Sequence, residues 1–527
     1  MEENKLEKLN FSKLQNGSDI RGVALPGVSG EDVNLTPQVI MSLTGALAVW
    51  LCNKTRKNAD ELTIAIGHDS RLSGPDIKGT MEPKLRELGV HVLDAGLAST
   101  PAMYMSTVFP EFDCDAAIMI TASHLPKNRN GFKIFTKEGG FEKKDIKDVL
   151  SVAQGLYRTR KLDDDKIVPH QMTGDVENIP LMERYSSFLK DMIAQQVGSV
   201  LSENTAKPLS GLHIVVDAGN GAGGFYATQV LEPLGADIKG SQFLEPDGEF
   251  PNHEPNPENK KAMASIKKAV ISSDADLGLI FDTDVDRSSA VDGKGNDISR
   301  NAIVALAAAL IADKHPGTTV VTDSVTSTGL TDFLTKDLGL KHHRFKRGYK
   351  NVINESIRLN GEGTDSQLAI ETSGHAAFKE NDFLDDGAYL ATKIVIKAAQ
   401  LKARGKGIEE LISAMKMPKA SEEFRFKITT EAFSPYGDKI LEALNAWVQT
   451  QEGLSIVHPN YEGVRINFSK EAGNGWVLLR KSLHDPILPL NMESDDEDGI
   501  QIMGKRLLEF LSEYTYLDLT KLTAYCN

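Results

Sequence analysis

The chain alternates short apolar runs with longer amphipathic stretches. Residues 62–66, 90–93 and 116–120 are short and almost wholly apolar, which is typical of buried strands. Residues 36–55 carry apolar side chains at helical spacing. Strands that alternate with helices predict a parallel α/β layer in the first part of the chain.

The same alternation continues further along the chain. Apolar runs at 212–216 and 277–281 predict two strands of a second α/β unit. A helix at 301–313 and strands at 318–321 and 367–370 predict a third unit. Three similar α/β units in succession are therefore expected.

The last part of the chain has a different pattern. Phe424, Phe426 and Ile428 alternate with polar residues, which predicts a half-exposed strand. A helix at 435–451 and strands at 464–468 and 475–479 then predict a smaller α+β domain. The fold class is therefore mixed α/β, with three similar α/β domains and a C-terminal α+β domain. The predicted domains cover residues 1–200, 201–313, 314–420 and 421–527.

Polar segments separate these units. Residues 158–178 are interpreted as a loop, 179–197 as an amphipathic helix and 198–209 as a linker. Residues 246–258 are rich in Pro, Asn, Asp and Glu, which predicts a surface loop. The glycine-rich turn at 217–224 lacks the dinucleotide-binding spacing, so we interpret it as tight packing of a strand on a helix.

Composition limits the classes of protein that fit. The 527-residue chain is 40% hydrophobic and has a formal net charge of −15, which argues against nucleic acid as the main partner. Its three cysteines suit neither a disulfide framework nor a zinc site, and its apolar stretches are too short to span a membrane. We expect a cytoplasmic monomer or weak dimer, or an organellar protein whose transit peptide has been removed.

A hydroxyl follows the buried strand at 116–120. Ser123 lies just after this strand, where open α/β sheets place their chemistry. His124 is its neighbour and Lys133 is ten positions on, and cations favour a phosphate or a phosphoserine. The residues alone leave an ordinary turn as an equal alternative, because Ser, Asn, Pro and Gly are common in turns.

Three carboxylates follow the strand at 277–281. Asp282, Asp284 and Asp286 occupy alternate positions, and their mutual repulsion favours a bound divalent cation. Oxygen ligands alone favour Mg²⁺, and Arg287 next to them offers a fork for phosphate. The alternative is an acidic loop that caps turns.

Two further loops carry candidate binding groups. Glu371, Ser373 and His375 follow the strand at 367–370 and suit vicinal sugar hydroxyls, or a satisfied turn. The strand at 475–479 runs into a cationic segment that suits a phosphate dianion, formed by Arg480, Lys481, Ser482 and His484. The most basic stretch, 341–350, suits either a solvated face or contact with phosphate. With one polar loop per domain, we expect a central cleft that grips a phosphorylated polar molecule.

These loops resemble those of the α-D-phosphohexomutases, the phosphoglucomutase/phosphomannomutase superfamily. The resemblance covers nearly the whole chain, and the motifs follow the family's order. It implies that Ser123 carries the phosphoryl group and that Mg²⁺ is held by Asp282, Asp284, Asp286 and a phosphate oxygen on Ser123. It further implies catalytic roles for four residues: Ser123, Lys133, Arg21 and His375. The residues that it assigns to substrate binding are His124, Arg287, Gly348, Lys350, Glu371, Ser373, Arg480, Ser482 and His484.

The chain departs from the family pattern at three loops. Leu483 and His484 stand where the phosphate loop usually has Gly and Thr. Leu125 replaces the usual Asn of the phosphoserine loop, and Ile370 stands where Gly is common before the sugar-binding loop. These departures bear on substrate choice and turnover rate rather than on the class of enzyme.

The resemblance implies a reversible phosphohexomutase. Phosphoserine 123 would give its phosphoryl group to a hexose 1-phosphate, which forms a hexose 1,6-bisphosphate. This intermediate would then return its other phosphoryl group to Ser123. Added hexose 1,6-bisphosphate would also act as an activator. Glucose or mannose phosphate is the favoured substrate, and glucosamine or N-acetylglucosamine phosphate is the alternative. For the hydroxyl proton, Lys133 is the first choice, ahead of His375 and Arg21.

Two other functions fit parts of the sequence. Asp282 as a nucleophile would make the protein a metal-dependent phosphatase or mutase, but Ser123 would then have no role. Leu483 and His484 would suit a non-catalytic protein that binds sugar phosphates.

Overall fold

A computed structural model describes residues 10–163, 173–482 and 485–527. The chain divides into two compact units. The first comprises Met1–Ser299, Ser373–Ala376 and Leu384–Glu410, and the second comprises the remaining segments, Arg300–Thr372, Ala377–Phe383 and Leu411–Asn527. The bounds of the four predicted domains stay predictions.

The α-helices of the described residues are α1 to α13 in chain order. They are Pro37–Thr55, Gly74–Glu87, Thr100–Met105, Lys143–Asp163, Leu181–Val197, Lys260–Ser273, Asn301–Ala312, Thr328–Asp332, Tyr349–Gly361, Gly387–Lys402, Phe433–Val448, Gly499–Leu511 and Thr520–Cys526. No helix within the described residues is both long and apolar enough to cross a membrane.

The first sheet belongs to the first unit and has eight strands. They are β1 (Gln15–Asn16), β2 (Asp19–Val23), β3 (Thr63–His68), β4 (His91–Leu97), β5 (Ala116–Ile120), β6 (Arg129–Thr136), β7 (Gly139–Gly140) and β8 (Val176–Asn178). The order is β1-β2-β6-β5-β3-β4-β8, with β7 on β6. Strand β3 is parallel to β4 and β5, as predicted, whereas β6 is antiparallel to β5 and β2, so the layer is mixed.

Local sequence explains the helices that cover this sheet. Helix α1 begins where the Thr36 side chain accepts a hydrogen bond from the Val39 amide, with Pro37 in the first turn, where its missing N–H costs nothing. It packs with α4 over one apolar core, which includes Val39, Leu47 and Ile118, all at most 3% exposed. This core fixes the sheet edge from which the Ser123 loop leaves.

The second sheet completes the strands of the first unit. Its strands are β9 (Ile214–Asp217), β10 (Leu277–Phe281), β11 (Ser288–Asp292) and β12 (Asp297–Ile298), in the order β12-β11-β10-β9. After β9, a Cβ on Gly224 would lie 2.1 Å from the Leu244 carbonyl oxygen, so the glycine-rich turn does serve close packing. The turn leads into a short π-helix, Tyr226–Leu231.

Two segments of the first unit differ from the sequence prediction. Part of the predicted loop at 158–178 is regular structure, because α4 continues to Asp163 and β8 occupies Val176–Asn178. The predicted surface loop at 246–258 has no regular structure, yet it is partly buried. His253 is 6% exposed, and its Nε2 lies 3.0 Å from Asp217 Oδ2. This segment therefore contributes to a buried ion pair, although its polar composition predicted a surface loop.

The buried pair makes the first unit sensitive to pH. Burial opposes the charge of His253, but the Asp217 carboxylate raises the His253 pKa above its ordinary 6.5. The folded state thus holds a proton that the unfolded state loses, so this stabilisation is complete below pH 6.5 and is lost as the pH rises through the folded pKa. We expect the apparent Tm to fall over this range in the wild type and less in His253→Gln, measured by circular dichroism. The control His91→Gln should follow the wild type, and equal slopes in all three proteins would contradict the assignment.

The third sheet contains β13 (Thr319–Thr322), β14 (Lys341–Arg344), β15 (Ser366–Ile370) and β16 (Ala376–Phe378), in the order β14-β13-β15-β16. Strand β13 is parallel to β14 and β15. The basic stretch at 341–350 is therefore a strand followed by the start of α9, and much of it is half-buried rather than solvated.

The fourth sheet lies in the second unit. Its strands are β17 (Ala420–Lys427), β18 (Leu454–Ile456), β19 (Val464–Phe468), β20 (Gly475–Leu479) and β21 (Ile487–Ser494), in the order β17-β21-β20-β19-β18. It confirms the predicted α+β architecture. Glu493, near the end of β21, is buried: it is 8% exposed and accepts a hydrogen bond from the Trp476 indole at 3.0 Å.

Candidate active site

Ser123 stands at a strained position after β5. Its φ angle is +49°, which is unfavourable for a residue other than glycine, and its N–H donates to Thr121 Oγ1 at 2.9 Å. Its Oγ lies 3.1 Å from Asp282 Oδ2 and 3.2 Å from Arg287 Nη2. The loop thus presents the hydroxyl directly to the acidic loop after β10.

The three aspartates after β10 converge as predicted. One carboxylate oxygen from each of Asp282, Asp284 and Asp286 lies within 4.8 Å of the others, and all three side chains are buried. Thr100, at the start of α3, donates from its N–H to the Asp284 carbonyl and from its hydroxyl to Asp284 Oδ2. Burial, followed by the charges of Asp286 and Asp284, raises the pKa of Asp282.

Lys133 supplies positive charge that partly balances the three buried carboxylates. Its Nζ lies 3.0 Å from Asp284 Oδ2 and is also bonded to Asp286 Oδ2. Although burial opposes ionisation, Lys133, His375 and Arg287 together lower the pKa of Asp286. Two buried oxygens, Asp284 Oδ1 and Asp286 Oδ1, accept no hydrogen bond. Two buried acceptors without donors and an all-oxygen ligand set fit a hard divalent cation.

Arg287 joins the serine loop to the acidic loop. Its Nε and Nη2 lie 3.3 and 3.2 Å from Asp282 Oδ2, and Nη2 also lies 2.7 Å from His124 Nδ1. A guanidinium can only donate, so His124 Nδ1 is an acceptor and carries no proton in this arrangement. Arg287 thus places a fixed positive charge beside the Ser123 hydroxyl.

Backbone geometry holds the acidic loop in this shape. Val285 has a φ of +66°, a rare conformation for a β-branched residue, and its carbonyl accepts from Gly387 N at 3.1 Å. Gly374 has a φ of +94°, and a Cβ there would lie 2.5 Å from the Ser288 carbonyl oxygen. Only glycine permits this close approach, which brings residues 373–376 against the strand after the acidic loop.

His375 lies on the same edge and is held by Asp385. Its Nδ1 is 2.5 Å from Asp385 Oδ2 and 3.9 Å from Asp286 Oδ1. Burial opposes the imidazolium, but the carboxylates of Asp385 and Asp286 raise the pKa of His375 to about 9. Asp286, His375 and Asp385 also form a second group of possible metal ligands, which shares Asp286 with the first.

Arg21 lies on β2. Its guanidinium pairs with Asp19 at 2.8 Å and donates to the carbonyl of Thr121. This contact fixes the chain two residues before Ser123. Arg21 therefore belongs to the same assembly as Ser123, Lys133 and His375.

The second unit contains a separate cationic group. Arg480, at the end of β20, has a buried Nε without a hydrogen-bond partner, and its Nη1 lies 4.0 Å from Glu462 Oε1. Glu462 Oε2 accepts from Ser324 Oγ at 2.5 Å and from Arg347 N at 3.1 Å. Burial and the charge of Arg347 lower the pKa of Arg480, so a bound anion would be stabilised there.

The remaining residues assigned to substrate binding are divided between the two compact units. Gly348 precedes α9 with a φ of +114° and donates its N–H to Glu371 Oε1 at 2.6 Å, while Lys350 lies in the first turn of α9. Both are in the second unit with Glu371, whereas Ser373 is in the first. Ser482 accepts a hydrogen bond from Asp485 N at 3.2 Å. Leu483 and His484 lie outside the described residues.

Several neighbours of these groups were not predicted. They are Asp385, Thr100, Glu462 and the pair Asp69 and Arg71. The last pair follows β3 in a polar turn between glycines, which was a local signal for a role beyond a turn. Thr100 and Glu462 lie more than 100 residues from the groups they contact, and Asp385 lies ten residues from His375, so no short motif joins any of them to its partner.

Sequence comparison places the chain among known proteins. Three family models match it: phosphoglucomutase/phosphomannomutase alpha/beta/alpha domain I at residues 12–153, domain II at 186–295 and domain III at 299–417. Together these matches cover well over half of the chain. The chain belongs to the phosphoglucomutase/phosphomannomutase family.

Individual relatives agree with this family assignment. A phosphomannomutase/phosphoglucomutase from Pseudomonas syringae pv. tomato is 31% identical over 84% of this chain and 85% of its own length. One from Pseudomonas aeruginosa is 30% identical over 87% of this chain and 90% of its own. The crystal structure of a phosphoglucomutase/phosphomannomutase family protein from Burkholderia thailandensis has a TM-score of 0.73 at 24% identity and covers 96% of this chain and 98% of its own. The family's fold is thus the fold of this chain.

Proposed function

We propose that this chain is a phosphohexomutase, an isomerase that moves a phosphoryl group between O1 and O6 of a hexose phosphate. Glucose and mannose phosphates are the proposed substrates. Family membership supports the reaction class, since the relatives are phosphomannomutases and phosphoglucomutases. The observation that carries the proposal is the position of Ser123 Oγ, within 3.2 Å of both Asp282 and Arg287.

We assign the metal site to Asp282, Asp284 and Asp286, with Mg²⁺ as the ion. Their carboxylates meet in a buried cluster, and two of the oxygens have no hydrogen-bond donor. Bound there, Mg²⁺ would neutralise charge on phosphoryl oxygens. Lys133 and Arg287 add fixed positive charges at the same place, where a transition state with spread negative charge needs them.

The proposed transfer makes one O–P bond and breaks another. The O6 hydroxyl of a hexose 1-phosphate attacks the phosphorus on Ser123, the O6–P bond forms, and the Oγ–P bond breaks. The product is a hexose 1,6-bisphosphate, which returns its 1-phosphoryl group to Ser123 after reorientation. A free hexose 1,6-bisphosphate would therefore activate enzyme that lacks phosphate.

We assign the proton of the attacking hydroxyl to His375. Lys133 was the first choice from sequence, but its ammonium group is bonded to two carboxylates of the proposed metal site. Arg21 holds the Thr121 carbonyl and Asp19, which is a positioning role. His375 is oriented through Nδ1 by Asp385, and this nitrogen lies 3.9 Å from Asp286 Oδ1, so the imidazole is placed beside the proposed metal site without being bonded to it.

Arg480 and Ser482 are proposed to bind the phosphate that does not react. Because this phosphate is bound in both ground and transition states, Arg480→Ala should raise KM about 30-fold and change kcat much less, in a steady-state mutase assay. Arg506, which donates to the Glu452 carbonyl at 3.1 Å, provides a matched control outside this segment. Arg506→Ala should keep KM within about twofold of the wild type. A fall in kcat without a change in KM would contradict the binding role of Arg480.

A coupled assay tests the proposed function directly. Glucose, mannose and N-acetylglucosamine 1-phosphates should each be tested with and without Mg²⁺, in the presence of the matching 1,6-bisphosphate. We expect turnover of the glucose or mannose compound only when Mg²⁺ is present. Tight binding without isomerisation would instead support a protein that only binds sugar phosphates.

A further inference from the structure

Arg71 is the least explained charge near Ser123. It lies three residues after β3, and its side chain and that of Asp69 are both 0% exposed. The Arg71 amide donates to Asp69 Oδ1 at 2.9 Å, and the Arg71 Nε lies 3.5 Å from Asp69 Oδ2. Burying an arginine is costly unless its donors are used, so its partners indicate its role.

All four hydrogen bonds from the two terminal nitrogens of Arg71 end on the loop that carries Ser123 or on the first residue of β6, which follows that loop. Nη1 donates to the carbonyls of Pro126 at 2.9 Å and Arg129 at 3.0 Å. Nη2 donates to the carbonyl of Leu125 at 2.5 Å and to that of Ser123 itself. One guanidinium thus binds four carbonyl oxygens within seven consecutive residues.

The hydrogen bonds from Arg71 hold the Ser123 loop in a conformation that the loop would not keep unaided. Ser123 is held at a positive φ, and a strained residue keeps its conformation only where its surroundings impose it. The carbonyls of this turn point inward, where only a fixed fork of donors can satisfy them all. A lysine offers fewer donors from a single point and cannot replace that fork.

The pocket around Arg71 is closed by the loop at 246–258. Phe250 lies beside the guanidinium, with its ring centre 5.6 Å from Cζ. A Cβ on Gly248 would lie 2.5 Å from the Leu72 amide nitrogen, so this loop packs directly on the Arg71 turn. The 246–258 loop therefore restrains the side of the guanidinium, while the four carbonyls hold its terminal nitrogens.

We propose that Arg71, oriented by Asp69, is a positioning residue that holds the Ser123 loop in the conformation required for phosphoryl transfer. The inference rests on the proposed function, because it takes Ser123 to be the group that is phosphorylated. Arg71 touches neither the Ser123 hydroxyl nor the aspartate cluster through any of the bonds described above, so it acts through the backbone. Its loss should misplace the nucleophile while leaving the substrate-binding groups unchanged.

The test compares Arg71→Ala, Arg71→Lys and the control Arg184→Ala, whose arginine stacks on Phe109. We expect kcat of Arg71→Ala to fall at least about 100-fold, since small misplacements of reacting groups have effects of this size, with KM within about threefold. Guanidinium ion should restore part of that rate, methylammonium should not, and Arg71→Lys should recover little of it. A folded Arg71→Ala with kcat within threefold of the wild type, or a loss that guanidinium does not reverse, would overturn the proposal.

Two further measurements keep the test decisive. If Arg71→Ala does not fold because Asp69 is left unpaired, Asp69→Asn combined with Arg71→Met removes both charges and should show the same loss of kcat. Hydrogen–deuterium exchange of residues 121–130 should rise in the Arg71 variants and not in Arg184→Ala, and unchanged exchange would overturn the proposal even if the wild type has no mutase activity. An inactive wild type would refute the proposed function alone.

Discussion

Ser123→Ala should lose mutase turnover by about 10⁴-fold or more, because the variant has no group to carry the phosphoryl between the two half-reactions. The fold should be unchanged, since the Ser123 side chain faces the reaction centre and not a core. A coupled glucose 1-phosphate assay measures the turnover, and circular dichroism checks the fold.

Ser151→Ala is a matched control for this variant. Ser151 is an exposed serine on α4, so its substitution should leave kcat and KM within about twofold. Intact-mass measurement after incubation with glucose 1,6-bisphosphate should show added phosphate on the wild type and on Ser151→Ala but not on Ser123→Ala. Full activity in Ser123→Ala would refute the serine assignment. Phosphate that hydroxylamine removes would indicate an acyl phosphate on Asp282 instead.

Asp284→Asn should weaken Mg²⁺ binding by about 100-fold and lower kcat by at least about 10³-fold at fixed Mg²⁺, because the metal supplies several kcal/mol of charge stabilisation. The amide can still accept the bond from Thr100, so the local structure should survive. Isothermal titration calorimetry with Mg²⁺ alone gives the affinity independently of activity. The exposed Asp191→Asn should bind Mg²⁺ like the wild type. Equal affinities in Asp284→Asn and the wild type would contradict the assigned site.

Much of the fold could be predicted because hydrophobic spacing reports burial. The strand at 277–281 and those at 464–468 and 475–479 were predicted with the bounds that the structure has. Strands β2 and β6 were missed, since their polar residues, such as Arg21 and Lys133, are buried by ion pairs rather than by apolar contact. Periodicity cannot detect a strand whose inward side chains are charged.

The candidate site was predictable where its residues are consecutive. Ser123 and the three aspartates each lie in a short motif after an apolar strand, and the structure brings them together. Asp385 and Arg71 escaped because their roles depend on contacts made only after folding. The Asp385 partner is ten residues away, and Arg71 meets carbonyls 52 to 58 residues along the chain. A sequence does not show which backbone carbonyls need a side-chain hydrogen-bond donor.

The central claim is that Ser123 stores the phosphoryl group that the sugar receives. A rapid-quench experiment tests it most directly: enzyme labelled with ³²P from glucose 1,6-bisphosphate is mixed with unlabelled glucose 1-phosphate and Mg²⁺. The account predicts that label leaves a peptide containing Ser123 and appears in glucose 1,6-bisphosphate within one turnover. Label that stays on the protein while glucose 6-phosphate accumulates would contradict it.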